Sequence, residues 1–299
     1  MIYLEKWTLP DDEEEYNIAR ARREQNGGYL DNGYPCMLFP EKGLRELDFE
    51  PITILYGGNG SGKSTLLNLI AIRLALKRLS PYNSGELMEA YAAHCHYRLG
   101  FDDMGKPAAI PPESRMLTSD DVFEYMLAMR SSNAEVREDT EDGKSAYARL
   151  KYGKNVQLDS MERYEDFRLQ VLSRRKSLTR RKFLQQQIGT EVRLGSNGET
   201  ALAFFEAYLE NDTLYCLDEP ENSLSPKLQL ELKALLEKKQ RYCGCQFVLS
   251  THSPFLLALN GAKIYDLDAC PVDVKHWWEL ENAKLYFGFF QRNKDLFDQ

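Results

Sequence analysis

A glycine-rich segment between an apolar run and a helical pattern constrains this sequence more than any other feature. Residues 52–56 lead directly into Gly57-Gly58-Asn59-Gly60-Ser61-Gly62-Lys63-Ser64-Thr65, which matches the pattern G-x-x-x-x-G-K-[ST]. The apolar residues of 65–79 then recur with the spacing of a buried helix. Such a strand, loop and helix direct backbone N–H groups and the positive end of a helix dipole at one point. The segment predicts a phosphate-binding loop, with a ligand-free glycine-rich turn as the alternative.

Each polar side chain of this loop has an expected role. Lys63 would hold the β- and γ-phosphates, the Ser64 hydroxyl would ligate Mg²⁺, and Thr65 would help to hold the α-phosphate. The expected cofactors are therefore ATP and Mg²⁺. The predicted nucleotide-binding residues are Gly57, Asn59, Gly60, Ser61, Gly62, Lys63, Ser64 and Thr65.

Two further apolar runs end beside residues that can carry chemistry. Residues 214–217 are followed by Asp218 and Glu219, and His252 comes shortly after 246–250. Parallel α/β sheets bind ligands at the carboxyl ends of their strands. We therefore expect Asp218 to ligate Mg²⁺ and Glu219 to deprotonate the water that attacks the γ-phosphate. An acidic turn is the alternative for the pair, and a lone histidine is usually structural.

The order of these patterns indicates an α/β fold. Predicted strands at 213–217 and 246–250 are separated by a helical pattern at 226–239, as in a parallel sheet. Short apolar runs between turn residues over 1–56 predict a β-rich N-terminal layer. We expect a parallel sheet built around the phosphate loop, with this layer and a helical insertion lobe.

Composition argues against several other classes of protein. The 299 residues include 43% hydrophobic residues and carry a net charge of −8, as in a globular, mildly acidic protein. The acidic N-terminus does not fit a secretory signal, and the most apolar stretch, 66–76, is interrupted by Asn68 and Arg73. Six cysteines are typical of reduced thiols, so we expect a cytoplasmic protein. The spacing in His94-Cys95-His96 and Cys243-Gly244-Cys245 does not favour a zinc site.

The motifs taken together resemble those of the ATP-binding-cassette (ABC) ATPases. The runs DEPENSLSP (218–226) and STHSPFLL (250–257) are similar to the soluble SMC/RecF-like group. That group includes the OLD-family ATPases and ATPase subunits of bacterial anti-phage systems. The resemblance covers 50–79 and 190–267 well and the middle of the chain poorly. The matching segments are, in order, the phosphate loop, Gly195-Ser196-Asn197-Gly198-Glu199, Leu217-Asp218-Glu219-Pro220 and Ser250-Thr251-His252.

This resemblance implies an ABC-ATPase head that forms a head-to-tail dimer, with two ATP molecules sandwiched at the interface. Ser196 and Gly198 match the signature motif and would contact the γ-phosphate bound by the opposite subunit. His252 matches the switch histidine of the family, and 221–225 matches the loop that communicates between the two sites. The predicted catalytic residues are Glu219, His252 and Lys63, and the predicted metal ligands are Ser64 and Asp218.

Two features of the family have no single match in this sequence. The glutamine that senses Mg²⁺ is missing from its expected place, where Ser119 or Asp120 would substitute for it. Three aromatic residues are candidates for stacking on adenine, namely Tyr29, Tyr34 and Phe39.

The resemblance also predicts how the chain is divided. Residues 1–299 would form a single ATPase head with a nucleotide-binding core of 1–79 and 191–270. Residues 80–190 would form a mostly helical insertion lobe, and 271–299 a C-terminal extension.

A basic segment stands out in this otherwise acidic chain. It places six positive charges within nine residues, which suits contact with the phosphate backbone of DNA or RNA. On a helix, however, the six charges would surround the axis, which favours a solvated helix instead. The segment consists of Arg174, Arg175, Lys176, Arg180, Arg181 and Lys182 around three uncharged residues.

Three functions of different classes are compatible with these motifs. The favoured one is a Mg²⁺-dependent ABC-type ATPase whose dimer controls a nucleic-acid transaction or an effector such as a nuclease, as in anti-phage defence. The nucleotide-binding subunit of a membrane transporter is disfavoured by the loose signature and by the long gap between Lys63 and Ser196. A non-hydrolysing switch is disfavoured because Asp218 and Glu219 are both present. We expect a partner protein, because no second catalytic constellation lies outside the nucleotide pocket, and no direct insertion into a membrane.

Overall fold

The computed structural model describes residues 1–25, 27, 33–80, 85–101, 104–131 and 197–296. Contacts divide the chain into two units, of which one comprises Met1–Phe123 and Asn197–Gln299 and the other Glu124–Ser196. Every strand and labelled helix below lies in the first unit. Residues 132–190 of the predicted helical insertion lobe lie outside the described residues.

The elements alternate between strands and helices along most of the first unit. The strands are β1 (Leu4–Thr8), β2 (Glu46–Asp48), β3 (Ile52–Tyr56), β4 (His96–Leu99), β5 (Arg115–Thr118), β6 (Leu214–Asp218), β7 (Gln246–Ser250), β8 (Lys263–Asp266) and β9 (Asp273–Lys275). The helices are α1 (Asp12–Gln25), α2 (Lys63–Arg73), α3 (Glu86–His94), α4 (Asn197–Tyr208), α5 (Pro226–Tyr242), α6 (Pro254–Leu257) and α7 (Glu281–Arg292), and 119–131 is also helical.

The central sheet has the strand order β5-β6-β7-β3-β8-β9. Its first five strands are parallel, and β9 joins the edge antiparallel to β8. Every residue of β3 and β7 is buried, as expected for strands covered on both faces. The predicted α/β fold with a parallel sheet is confirmed. Because the strands run in one direction, β3, β6 and β7 end at the same edge of the sheet.

Helix α2 follows β3 through the glycine-rich loop and buries apolar side chains on more than one face. Leu66, Leu67, Leu69 and Ile70 are all completely buried. The predicted helix of 65–79 is too long at its C-terminal end, because α2 ends at Arg73. Ala75 then adopts a left-handed conformation with φ of +51°, which an α-helix does not contain. The apolar spacing beyond Arg73 reflects core packing of Leu76 in the turn rather than helix.

A second, three-stranded antiparallel sheet has the order β2-β1-β4. It contains the predicted β-rich N-terminal layer, and its third strand comes from 96–99. The Gln246 side chain connects it to the central sheet: its Oε1 accepts hydrogen bonds from the backbone of Tyr3 (2.8 Å) and Leu4 (2.9 Å). Its Nε2 donates to the Leu4 carbonyl at 2.8 Å. One buried amide thus fixes the position of β1 against β7.

The N-terminal layer also contains structure that the sequence patterns did not predict. Helix α1 begins just after Asp11, whose Oδ1 accepts the Glu14 N–H at 2.8 Å while the Glu14 side chain accepts the Asp11 N–H at 2.9 Å. This reciprocal pair is a capping arrangement, and the acidic first turn is stabilised by the helix dipole. Residues 36–39, expected within a strand-rich region, form turns instead, with Met37 at φ of +70°.

The N-terminal part of the predicted insertion range and the predicted extension both contribute strands. Strand β5 forms one edge of the central sheet and β4 one edge of the smaller sheet, although both lie within 80–190. Strand β9 forms the other edge of the central sheet and belongs to 271–299. Among the described residues, no helix combines the length and apolar character needed to cross a membrane.

Candidate nucleotide-binding site

The loop between β3 and α2 has the backbone conformation expected of a phosphate loop. Gly60 and Gly62 adopt φ of +81° and +100°, which side chains rarely allow. Gly62 is the N-cap of α2, so the helix N-terminus and its unpaired N–H groups lie at the loop. The sequence therefore produces the expected strand, loop and helix at 52–73.

Lys63 is folded back onto its own loop and is 5% exposed. Its Nζ donates hydrogen bonds to the carbonyl oxygens of Gly57 (2.8 Å) and Gly58 (3.1 Å). Burial lowers the pKa of Lys63, and the nearby carboxylates of Glu219 and Asp218 oppose that shift. The ammonium group is thus held inside the loop at the point where a phosphate would bind.

Ser64 and Asp218 meet although they lie 154 positions apart in sequence. The Ser64 hydroxyl donates to Asp218 Oδ1 at 3.0 Å. The same oxygen accepts a 2.5 Å hydrogen bond from Ser250, the last residue of β7. Burial raises the pKa of Asp218, while these two hydrogen bonds act in the opposite direction. Hydroxyl and carboxylate oxygens are the ligands that Mg²⁺ prefers, so this pair fits the predicted metal site.

Glu219 lies beside His252, as the motif order predicts. Its backbone is left-handed with φ of +48°, and its N–H donates to the Ser250 hydroxyl at 3.0 Å. The carboxylate accepts a 3.2 Å hydrogen bond from the Asn222 side chain through Oε2. Its other oxygen, Oε1, lies 3.5 Å from His252 Nε2. Both side chains of this pair are about a third exposed, but the Nε2 atom of His252 is itself buried and has no hydrogen-bond partner among the described residues.

The remaining loop residues differ in exposure. Asn59 and Gly60 are exposed at the loop tip, whereas Ser61 and Thr65 are buried. The Ser61 hydroxyl has no hydrogen-bond partner among the residues that the structure describes. The Thr65 hydroxyl contacts the Tyr34 hydroxyl.

The structure distinguishes between the three candidates for adenine stacking. Phe39 is completely buried in the hydrophobic core, so it has no free ring face for a ligand. Tyr34 is 45% exposed and touches the phosphate loop through Thr65. Tyr29 lies outside the described residues. Phe39 is therefore excluded, and Tyr34 is the described candidate beside the loop.

One acidic residue at this loop was not predicted. Asp268 follows β8, and its Oδ2 accepts the N–H of Gly58 at 2.7 Å. Its own N–H donates to Asp266 at 3.1 Å, which fixes the turn after the strand. No motif marks Asp268 in the sequence, because its contact with the loop depends on the pairing of β3 with β8.

The residues expected to act across a dimer interface are only partly described. Ser196 and the basic segment from Arg174 to Lys182 lie outside the described residues. Gly198 is buried in the first turn of α4, where a Cβ would collide with Leu228. Thr118 pairs with Asp218 in the sheet, so Ser119 and Asp120 follow at the same edge as the site.

The cysteine and histidine runs are built into the two sheets. Cys95 and Cys245 are buried and precede β4 and β7. Their thiols donate to the backbone carbonyls of Tyr91 (3.5 Å) and Glu210 (3.1 Å). Over the described ranges, no group of three or more His, Cys, Asp or Glu side chains is arranged to hold a metal ion.

Comparison with known proteins adds a family match to this geometry. Residues 117–258 match a family described as "AAA domain, putative AbiEii toxin, Type IV TA system". This region contains Asp218, Glu219 and His252 but not the phosphate loop. No curated protein matches the chain in sequence.

Similar solved structures include two heads of SMC proteins. The SMC head domain with an extended coiled coil, bound to the C-terminal domain of ScpA from Pyrococcus furiosus, is 13% identical with a TM-score of 0.42. That match covers 97% of this chain and 100% of the other. The SMC head domain from Thermotoga maritima is 14% identical, with a TM-score of 0.35 and coverage of 92% and 98%.

A nucleotide-free ATP-binding cassette from an ABC transporter is similar to the chain as well. It is 17% identical with a TM-score of 0.35, and the match covers 74% of this chain and 79% of the other. Since all three scores are low, the fold assignment depends on the strand order and the loop geometry described above.

Proposed function

We propose that the chain is a Mg²⁺-dependent ATPase that binds the phosphates of ATP at 57–65. The observation that carries this proposal is the 3.0 Å hydrogen bond between the Ser64 hydroxyl and the Asp218 carboxylate. It joins the two expected ligands of one cation at the edge of the sheet, beside a buried lysine. A glycine-rich turn with a structural role alone does not account for this convergence.

The donor set supports Mg²⁺ as the metal. Ser64 and Asp218 offer hard oxygen atoms, and the carboxylates around Lys63 give the site an excess of negative charge that a divalent cation would offset. When bound, Mg²⁺ would neutralise charge on the phosphates and polarise them toward attack. Ser250, which donates to Asp218, would orient that carboxylate.

Three side chains would each have a separate role in hydrolysis. Lys63 would exchange the loop carbonyls for phosphate oxygens and offset their charge. Glu219 would orient a water molecule and accept its proton, because its carboxylate is fixed by Asn222 and remains partly exposed. His252, 3.5 Å from Glu219, would contact the γ-phosphate from the neighbouring strand end.

We further propose that two copies assemble head to tail around two ATP molecules, with Ser196 and Gly198 completing the opposite site. The order of the motifs in the sequence supports this assembly. We propose that the dimer controls an effector protein, for example a nuclease, in defence against phage. The matching family is described with a putative toxin of a Type IV TA system, which supports a role beside a second protein component.

Phosphate release from ATP tests the catalytic part of this proposal. The purified wild-type protein should release phosphate with Mg²⁺, and the rate should fall to background in excess EDTA or in an Asp218→Ala variant. Asp273→Ala, which removes an exposed carboxylate on β9, is the matched control and should keep the wild-type rate. Absence of Mg²⁺-dependent release from the wild-type protein would overturn the proposal.

Light scattering tests the assembly. A Glu219→Gln variant should bind ATP without turning it over, and its mass should double when Mg·ATP is added. A mass that does not change with ATP at concentrations that saturate binding contradicts the sandwich dimer.

A further inference from the structure

Glu221 is a buried carboxylate two residues after Glu219, in the turn that follows β6. It is 9% exposed, and one of its oxygens accepts three hydrogen bonds from the segment that follows β7. The donors to Oε1 are the Thr251 hydroxyl (2.7 Å), the His252 N–H (2.7 Å) and the Ser253 N–H (3.1 Å). Its other oxygen, Oε2, is buried without a hydrogen-bond partner among the described residues.

The segment that donates these bonds is held on its other side as well. The Ser253 hydroxyl donates to Gln229 of α5 at 2.7 Å. The same hydroxyl accepts the N–H groups of Phe255 and Leu256 and so caps α6. The backbone of His252 is therefore fixed between α5, α6 and Glu221, while its imidazole remains free to face Glu219.

A buried carboxylate is a costly group with which to fix a turn. Burial of a charged group is costly, and hydrogen bonds to an ionised acceptor are stronger and shorter than those to a neutral one. A neutral side chain could cap one N–H, but a single oxygen that accepts from three consecutive residues orients them together. The three hydrogen bonds therefore offset part of the cost of burying Glu221, and they fix the orientation of the His252 backbone.

We propose that Glu221 is a positioning residue that clamps 251–253 and thereby sets the imidazole of His252 at the distance from Glu219 that turnover requires. This inference rests on the proposed ATPase function for its effect on turnover, but the clamp itself can be measured without ATP. The turn after β6 and the turn after β7 then move as one unit, with the predicted base on the first and the predicted switch histidine on the second.

Hydrogen exchange and steady-state kinetics together test the clamp. In Glu221→Ala, the amide of His252 loses its acceptor and should exchange at least tenfold faster than in the wild type. The Ser253 N–H keeps the Thr251 hydroxyl as a second acceptor at 3.0 Å and should change less. Misplacement of a reacting group by about 1 Å costs about 100-fold in rate. We therefore expect kcat to fall by about 100-fold, with the Kd for Mg·ATP within about threefold of the wild-type value, because the clamp acts on turnover rather than on phosphate binding.

Two milder variants keep the test decisive where Glu221→Ala does not fold. Thr251→Val removes one of the three donors at nearly constant shape, and Glu221→Gln keeps one oxygen acceptor. Both should lower kcat by a smaller factor than Glu221→Ala and accelerate exchange of the His252 amide by a smaller factor.

Glu237 provides a matched control on α5. Its Oε1 accepts the N–H of Asn260 at 3.0 Å, so Glu237→Ala also removes a carboxylate that holds a loop backbone, but on the loop after α6. It should accelerate exchange at Asn260 and leave kcat unchanged.

The possible failures are distinguishable. If the wild-type protein turns over no ATP, the proposed function is wrong, and the exchange measurement still decides whether the clamp exists. Wild-type exchange at His252 in Glu221→Ala would overturn the clamp. Faster exchange with unchanged kcat, or a loss of ATP affinity as large as the loss of kcat, would overturn its role in positioning His252.

Discussion

The two halves of the site are built in different ways. The phosphate loop, 57–65, is a local structure: its backbone turns depend on glycines within the loop, and Lys63 bonds carbonyls only five and six positions away. The proposed catalytic half consists of Asp218, Glu219 and His252, which come from the ends of two strands. Its hydrogen bonds span about 30 positions and pass through Ser250 and Glu221.

This difference predicts which substitutions impair each half of the site. Substitutions within the loop should change nucleotide binding directly, because in the proposed function the loop itself would supply the contacts to phosphate. In the catalytic half, substitution of a residue that never touches ATP should impair turnover, because Ser250 and Glu221 hold the groups that do. Binding and turnover should therefore be separable by mutation.

The largest effect on the affinity for ATP is expected for Lys63→Ala in the loop. A hydrogen bond to a charged partner contributes about 1.5–3 kcal/mol, so the Kd for ATP should rise by about 100-fold. Titration with a fluorescent ATP analogue measures this Kd. Lys42→Ala is the control, since Lys42 also donates to a backbone carbonyl, that of Leu267 at 2.6 Å. An affinity within threefold of the wild type for Lys63→Ala would mean that ATP does not bind in this loop.

A smaller effect is expected for Ser250→Ala in the catalytic half. The hydroxyl donates to Asp218 and accepts the Glu219 N–H, so its loss should lower kcat/KM for Mg·ATP by about tenfold, as for other residues that orient metal ligands. Phosphate release at several Mg²⁺ concentrations measures it. Ser114→Ala is the control. It removes a buried hydroxyl that accepts the Leu214 N–H at 3.3 Å, at the opposite end of β6, and should leave kcat/KM unchanged. Equal effects of the two serine variants would contradict the account.

The smallest effect concerns stability within the loop. Gly62→Ala and Gly60→Ala both place a side chain at positive φ, but only at Gly62 would the new methyl lie 3.1 Å from Phe39 and 3.2 Å from Leu38. Gly62→Ala should therefore lower the free energy of unfolding by about 1 kcal/mol more than Gly60→Ala. Urea unfolding of the two variants compares them directly. If Gly60→Ala is the more destabilised, packing against Phe39 does not constrain the loop.

Local patterns predicted the central sheet and the phosphate loop because the information lies close together in sequence. The buried strands β3, β6 and β7 were expected within one residue of their observed positions. The apolar period overestimated α2, because it cannot distinguish a helix from a turn that buries Leu76. The capping pattern of Asp11 and Glu14 is a local signal for the start of α1, so this helix is predictable from the sequence.

The long-range contacts of the site could not be derived from the sequence. Asp268 reaches the phosphate loop through the pairing of β3 and β8, and no motif marks it. Glu221 lies within a matching motif, yet its bonds to 251–253 require the register of β6 and β7. Phe39 was a plausible aromatic for a ligand until its packing against the loop made it a core residue.

The most direct test of the account is the comparison of binding and turnover in Glu219→Gln. This substitution preserves the shape of the side chain and removes the base, so the Kd for ATP should stay within about threefold of the wild type while the rate of phosphate release falls by at least about 100-fold. Asn222 should still contact the amide, so the fold should be unchanged. Phosphate release by Glu219→Gln at the wild-type rate would contradict the assignment of Glu219 as the base and, with it, the proposed mechanism.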